Sequence, residues 1–424
     1  MPPTTSRLRP MRATLAMLVA TLLAVATATT SPATTLGNDG KPITNAAGVT
    51  FGVLAHRAGG AEWPQNSAEA YTRSVAAGVD AIETDIVFTK DGHGVMSHNE
   101  TLPSRCTSTG RAIHTMTLAE VQEVRCANLA GDKVVPIPTF DELADILDGH
   151  PEVELMLEVK SYAGQSAKGR RAWTTKAIGL VKDHGLLAQT SFLTFFWDTT
   201  LPTIRSLAPD SYVLALDLSV VDYGRVRKAA DLGADAFGLR MAYTTVALAE
   251  YVKAKGMDST PWQVETDQQR AFSIHYGGQR QLLSSDVPTV TQQQLVDGEI
   301  DLDPTPAPTA TKLAKAVTIR SGAFTANRKQ YRTVGTSAVP ATALPGLQDV
   351  TLAITVKGGT GKGTLSVGAS SSPLASSVTT PLPKGTATVT VKAPLGKDRK
   401  LRIFTTRSVS LTVKVTGYTR MLFT

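Results

Sequence analysis

Glu83 and Asp85 stand two residues apart in the apolar run 82–86, so in a strand both carboxylates point to the same side. Two carboxylates that close in a partly dry site repel each other. Either one takes a proton or a cation settles between them. A third acid favours the cation: in 155–160, Glu158 and Lys160 share one face of another apolar strand. Three carboxylates without a paired histidine motif or a thiolate cluster suit a hard ion, Mg²⁺ or Ca²⁺, rather than Zn²⁺. His56 ends a first apolar run and His98 closes the run 94–98. Two imidazoles titrating near neutrality can serve as the base and the acid of a substitution at phosphorus. Arg57 offers a planar fork suited to phosphate oxygens, and Lys160 a point charge. The remaining histidines, His93, His114, His150, His184 and His275, fall in loops or helices and read as surface residues.

These side chains need a frame that brings strand ends together. From residue 51 to about 296, short apolar runs alternate with helix-length amphipathic segments. Strands are expected at 52–56, 81–87, 154–159, 191–195, 212–216, 236–239, 261–264 and 281–285. Helices are expected at 67–77, 170–183, 223–230, 244–254 and 289–297. Eight such units fit an α/β fold, a TIM (β/α)8 barrel over residues 51–300, better than an open sheet. The barrel's C-terminal rim is then the place for the charged cluster. Segment 91–130 is too long for a simple connection and reads as an insertion.

The chain has 424 residues, 42% hydrophobic and 19% charged, which excludes a disordered tail, a collagen-like fibre and a small disulfide scaffold. Its net charge of +7 hides an asymmetry. Residues 311–424 hold 17 Lys/Arg and 2 Asp/Glu, whereas the remainder holds 26 and 34. Segment 301–310 reads as a stiff proline-rich linker. Beyond it, β-branched and polar residues alternate between turn residues, the pattern of a small, basic, all-β sandwich-like module over 311–424. Its excess charge suits an anionic cell-wall polymer or a membrane surface, with nucleic acid not expected as a partner.

At the N-terminus, Arg7, Arg9 and Arg12 precede the apolar run 15–26, and Ala26, Thr27 and Ala28 form a small-residue cleavage site. This is the layout of a secretory signal peptide over residues 1–28, cleaved after Ala28. Residues 29–50 read as a flexible lead-in. Export favours a disulfide between the two cysteines, Cys106 and Cys126.

Taken together, His56-Arg57-x-Gly59, Pro64-Gln65-Asn66-Ser67, Glu83-x-Asp85, Lys90-Asp91-Gly92, His98-Asn99-x-x-Leu102 and Glu158-x-Lys160 resemble the glycerophosphodiester phosphodiesterase family. The resemblance runs from about residue 51 to 288 and ends on Ser285-Asp286-x-Pro288. It implies a TIM barrel in which Glu83, Asp85 and Glu158 bind the divalent cation and His56 and His98 form the catalytic pair. By the same resemblance Arg57 and Lys160 hold the phosphate of a glycerophosphodiester, and Trp262 lines the cleft. Two positions depart from the family pattern: Gln65 stands where it has Glu, and Asn99 where it has Asp. Both departures remove negative charge near the site. A related phospholipase D or sphingomyelinase D-like lipid phosphodiesterase shares the histidine pair and Glu-x-Asp element, but Glu158 speaks against it. An inactive, wall-binding barrel is the reading from a different class, and Gln65 and Asn99 are its only support.

Overall fold

The computed structural model describes residues 35–423 apart from 219–222, 242–243, 263, 265, 279, 334–338, 340–346, 358–362, 370–376, 383–384 and 395–399. The expected signal peptide, residues 1–28, lies outside the described residues. In chain order the first part carries β1 (Thr50–Ala55), β2 (Ala81–Phe88), β3 (Gly94–Met96), β4 (Arg125–Ala127) and β5 (Val134–Pro136). It continues with β6 (Glu154–Val159), β7 (Thr190–Thr194), β8 (Val213–Asp217), β9 (Ala236–Leu239), β10 (Asp258–Ser259) and β11 (Arg280–Ser285). Eight of these pair in parallel in the order β10-β9-β8-β7-β6-β2-β1-β11. The two ends of this curled sheet approach each other. A Cβ added to Gly278, just ahead of β11, would lie 1.8 Å from a carboxylate oxygen of Asp258 in β10. The expected TIM-barrel architecture is therefore present.

Leu54, Met156, Leu193, Leu214 and Leu216 form an apolar group contributed by successive parallel strands. The helices are α1 (Ala68–Ala77), α2 (Leu118–Gln122), α3 (Phe140–Leu147), α4 (Ala167–Asp183), α5 (Trp197–Leu207), α6 (Tyr223–Asp231), α7 (Val246–Ala254), α8 (Asp267–Tyr276) and α9 (Pro288–Val296). They bury side chains such as Tyr71, Phe140 and Trp197 in the main core with Ile82, Leu155 and Phe192 of the strands. Every residue of β2 and β6 is buried, as expected of parallel strands covered on both sides. The expected strand at 261–264 forms earlier, at β10, because Pro261 has no N–H to give the ladder. Trp262 keeps an isolated bridge to Arg240. Helices α2, α3, α5 and α8 lie outside the five segments named above; α2, α3 and α8 start on Thr117, Thr139 and Thr266 capping boxes.

Two boundaries differ from expectation. The lead-in is tied down from residue 35: the Thr35 hydroxyl donates to Asp80, and Ala46 N–H donates to Asp303 at 2.9 Å. The cause is Asp80, a buried carboxylate that needs donors; it also accepts from Val53 N–H at 2.6 Å. The proline-rich linker ends before residue 306, because Pro306–Phe324 is strand β12 and its prolines already pair with the chain's last residues. β12 lies at the edge of its sheet, where a proline's missing N–H is tolerated.

The remaining strands are β13 (Gln330–Thr333), β14 (Leu347–Lys357), β15 (Thr364–Ala369), β16 (Val378–Pro381), β17 (Ala387–Pro394), β18 (Lys400–Thr405) and β19 (Val409–Phe423). They form two four-stranded antiparallel sheets, β12-β19-β14-β17 and β13-β18-β15-β16. Leu352 and Ile354 of one sheet share a core with Val367 and Ile403 of the other, which makes the module a sandwich. Its last described residue packs on the barrel: Phe423 meets Phe272 of α8 edge-on at 6.1 Å, and its backbone exchanges hydrogen bonds with the Gln268 amide.

Gly52 in β1 tests the Asp80 anchor, since a Cβ there would stand 2.6 Å from Asp80 Cγ. Gly52→Ala is expected to destabilise the barrel by about 1–3 kcal/mol, the usual cost of overpacking. A urea titration followed by tryptophan fluorescence reads it, and an unchanged midpoint contradicts it.

Candidate active site

Strand register assembles the acidic group. β2 pairs with β6 so that Asp85 stands opposite Glu158, and Glu83 lies two residues earlier on the same face as Asp85. The three carboxylates are buried, with relative exposures of 5% for Glu83, 0% for Asp85 and 7% for Glu158. One oxygen from each converges with the others within 4.8 Å. Lys160, just past β6, sets its ammonium 3.2 Å from Asp85 Oδ1 and 2.8 Å from Glu158 Oε1. The structure thus places Lys160 on the carboxylates.

The histidines arrive by two different turns. β1 ends at Ala55, and a tight turn carries His56, Arg57 and Ala58 over the barrel end. Arg57 and Ala58 are both left-handed, with φ of 49° and 58°, a conformation that costs a residue with a side chain. The gain is visible: Arg57 N–H donates to Glu83 Oε2 at 2.9 Å. Gly59 follows with φ +80°, and a Cβ there would meet the Trp63 ring at 2.8 Å and Pro288 at 3.0 Å. His56 Nε2 stands 3.9 Å from Glu83 Oε2, while its Nδ1 bonds Asp286 Oδ1 at 2.7 Å. His98 comes from the β2–β3 hairpin. Gly92 lies in its turn, where Gly92 N–H donates to Thr89 C=O at 3.0 Å. Lys90-Asp91-Gly92 is therefore a turn element, and Asp91 accepts from Thr89 and from Leu118 N–H. Ser97 N–H bonds Asp85 C=O at 2.9 Å, which sets His98 beside the acidic group.

Asn66, left-handed at φ 51°, locks the cluster from behind. Its amide donates to Asp85 Oδ2 at 2.8 Å and accepts from the Thr84 hydroxyl at 2.9 Å, which in turn bonds the Tyr71 hydroxyl. Gln65 Oε1 accepts from Arg57 Nη1 at 3.2 Å, and Asn99 Oδ1 lies 3.0 Å from His98 Nδ1. The two positions that depart from the family pattern therefore each bond an expected site residue. Trp262 is half-buried, edge-on to Phe195 at 5.4 Å, with its indole N–H on Gly238 C=O.

Electrostatics follow from burial. Burial pushes Glu158 up to about 8; Lys160 pulls against this, and Asp85 and Glu83 add to it. Glu83 is raised by burial and by Asp85. For Asp85 burial is outweighed, first by Lys160 and then by His98, and its pKa falls. Burial lowers His98 to about 4. Burial also opposes a charged His56, but the Asp286 hydrogen bond and the Glu83 charge prevail and raise it. Protonation of Glu158 or a bound cation would each relieve the crowded negative charge. Asp85 Oδ1 receives no hydrogen bond and has only the Lys160 ammonium beside it. Three buried, converging, all-oxygen donors fit a hard divalent cation.

Comparison with known proteins agrees with this geometry. Residues 56–280 match the glycerophosphoryl diester phosphodiesterase family. The chain belongs to that family. A glycerophosphodiester phosphodiesterase of Caldanaerobacter subterraneus subsp. tengcongensis is 26% identical over 234 residues, covering 53% of this chain and 90% of the relative. A Mycobacterium tuberculosis protein named "Probable glycerophosphodiester phosphodiesterase 1" is 33% identical over 118 residues, covering 26% of this chain and 42% of that one. A crystal structure from Silicibacter pomeroyi DSS-3, named for the same family, superposes with a TM-score of 0.52 at 24% identity. That match covers 59% of this chain and 95% of the other, and it speaks to the fold. The family match ends before the sandwich module.

Sequence reasoning left Asp286 and Asn66 without roles, although both sit in the motifs that carry the family resemblance. Their partners are far away in the chain, at His56 and Asp85, so only the fold reveals them. Of the histidines read as surface residues, His93, His184 and His275 are exposed. His114 is instead half-buried, paired with Glu100 and stacked on Tyr162 at 3.9 Å. The cysteines form the expected disulfide.

The His56–Asp286 pair has a defined pH window. His56 is raised from 6.5, so its contribution is full below that value and is lost as pH climbs through the raised one. Asp286 is lowered from 3.8, so its contribution is present above that value and fades as pH falls through the lowered one. The loss of melting temperature in Asp286→Asn is therefore expected to be largest between about pH 4 and 6.5 and to shrink in alkali. Melting curves across pH check it. A loss that grows above pH 8 contradicts it.

Proposed function

We propose that the protein hydrolyses glycerophosphodiesters to glycerol phosphate and an alcohol, using a divalent cation, Mg²⁺ or Ca²⁺, and the histidine pair His56 and His98. One observation carries the reading: three buried carboxylates converge at a barrel rim between two imidazoles. Glu83, Asp85 and Glu158 would hold the ion, which when bound supplies positive charge against the phosphoryl oxygens. Arg57 adds a guanidinium fork beside it, and Lys160 keeps an ammonium among the carboxylates. One imidazole takes the proton of the attacking water, or of a neighbouring glycerol hydroxyl. The other returns a proton to the departing alcohol. Water then adds across the P–O bond either directly or, where the glycerol hydroxyl attacks, in a second step that opens the cyclic phosphate, so that the overall change is hydrolysis of one P–O bond. Asp286 orients the His56 ring, and the Asn99 side chain orients that of His98. Trp262 would line the cleft.

The same reading has the protein secreted, with its N-terminal segment removed after Ala28. The Cys106–Cys126 bridge supports an oxidising compartment. No helix of the described residues is long and apolar enough to cross a membrane. The sandwich module would hold the enzyme on an anionic cell-wall polymer or membrane surface. Exposed Lys312, Lys315, Arg328, Lys329, Lys357 and Lys414 support this role.

His56→Ala and His98→Ala are each expected to lower kcat on glycerophosphocholine by about 10²–10⁴-fold, the usual contribution of a positioned acid or base. EDTA abolishes turnover, and Mg²⁺ or Ca²⁺ restores it. Near-normal turnover by either variant overturns the assignment, and faster cleavage of sphingomyelin or lysophospholipid redirects the substrate. For the module, the full chain is expected to sediment with anionic cell-wall material at low salt and to be released by salt within a few hundred millimolar. No sedimentation at low salt removes that role.

A further inference from the structure

Beside His98 lies a small pocket that opens to solvent. One wall is the site itself, Gln65, Asn66, His98 and Asn99; the other is the insertion, with Arg105, the disulfide and the short β4–β5 ribbon. Among its lining residues there is no Asp or Glu, and Arg105 is the only permanently charged side chain. Among the described residues Arg105 makes no ion pair, although unpaired guanidiniums are costly to cover. It is half-buried, and its nearest charge of consequence is a like one, Arg57. Arg57 is itself bonded to Gln65 on the pocket wall at 3.2 Å, and its buried Nε has no partner. The Arg105 guanidinium therefore borders a space that also holds the neutral amides of Gln65, Asn66, Asn99 and Asn128.

The backbone of Arg105 is held firmly for so exposed a loop. Arg105 C=O accepts from Ala127 N–H at 2.9 Å, and Thr107 N–H donates to Arg125 C=O at 2.8 Å. The Cys106–Cys126 bridge joins the same two segments directly between these bonds. A loop tied three times to keep an unpaired cation at a pocket wall lacks only an anion.

The geometry points to a specificity subsite: Arg105, presented by the disulfide-tied insertion, selects diesters whose alcohol carries a second anionic group such as a phosphate. This deepens the phosphodiesterase reading and rests on it. The substrate's own bridging phosphate goes to the cation site and Arg57. The second anion, one glycerol unit along, reaches the Arg105 guanidinium, which binds phosphate through paired N–H donors. A cationic alcohol such as choline meets like charge in the same place.

The experiment compares kcat/KM for sn-glycero-3-phosphocholine with that for a diester of the same unit whose alcohol is glycerol phosphate. The wild-type chain is expected to favour the second about tenfold. Arg105→Gln is expected to reduce that ratio about tenfold, and Arg105→Lys, which keeps the charge, to retain most of it. Melting curves show that both variants are folded. If the wild type cleaves both substrates and Arg105→Gln leaves their ratio unchanged, the subsite is overturned and the phosphodiesterase reading stands. If the wild type cleaves neither, both fall.

Discussion

Three carboxylates are buried within a few ångströms of one another at the end of a parallel sheet, and the surrounding structure answers that fact. Like charges in a low-dielectric site are costly, and each nearby group reduces the cost in a different way. Lys160 supplies a full positive charge, Arg57 a backbone N–H and Asn66 an amide. What these leave over is an oxygen of Asp85 without a donor and a Glu158 pushed up to about 8. A doubly charged ion is the natural complement of such a group.

The same constraint explains the strained loop from His56 to Asn66. Three left-handed residues with side chains lie within eleven positions there. Two of them bond the acidic group: Arg57 turns so that its N–H reaches Glu83, and Asn66 so that its amide reaches Asp85. The loop is pinned in return. Gly59 packs under Trp63 and Pro288, and Asn66 N–H bonds Arg57 C=O at 3.0 Å. Strain at this rim is thus balanced by packing against α9, the last helix of the barrel.

Additions to the barrel occupy distinct places. The insertion, tied by its disulfide, walls the side of the site next to His98. The sandwich is seated elsewhere, with Phe423 in an aromatic group on α8. A barrel with a fixed catalytic rim can accept both, since neither interrupts the parallel ladder.

How much of this was legible in the chain? The period-two spacing of Glu83 and Asp85, and of Glu158 and Lys160, gave their shared faces directly, because strand geometry leaves no alternative. The barrel followed from the alternation of apolar runs with amphipathic segments. Helices α2, α3 and α8 begin on capping boxes that the chain displays locally, whereas α5 has no side-chain cap and carries Pro202 inside it. Asp286 beside His56, Asn66 behind Asp85, and Arg105 on the pocket wall next to His98 were decided by tertiary structure alone. Residue type and local spacing determine which side of an element a group faces. Which groups from distant elements meet depends on sheet order, strand register and left-handed turns, and those are settled only when the whole chain packs.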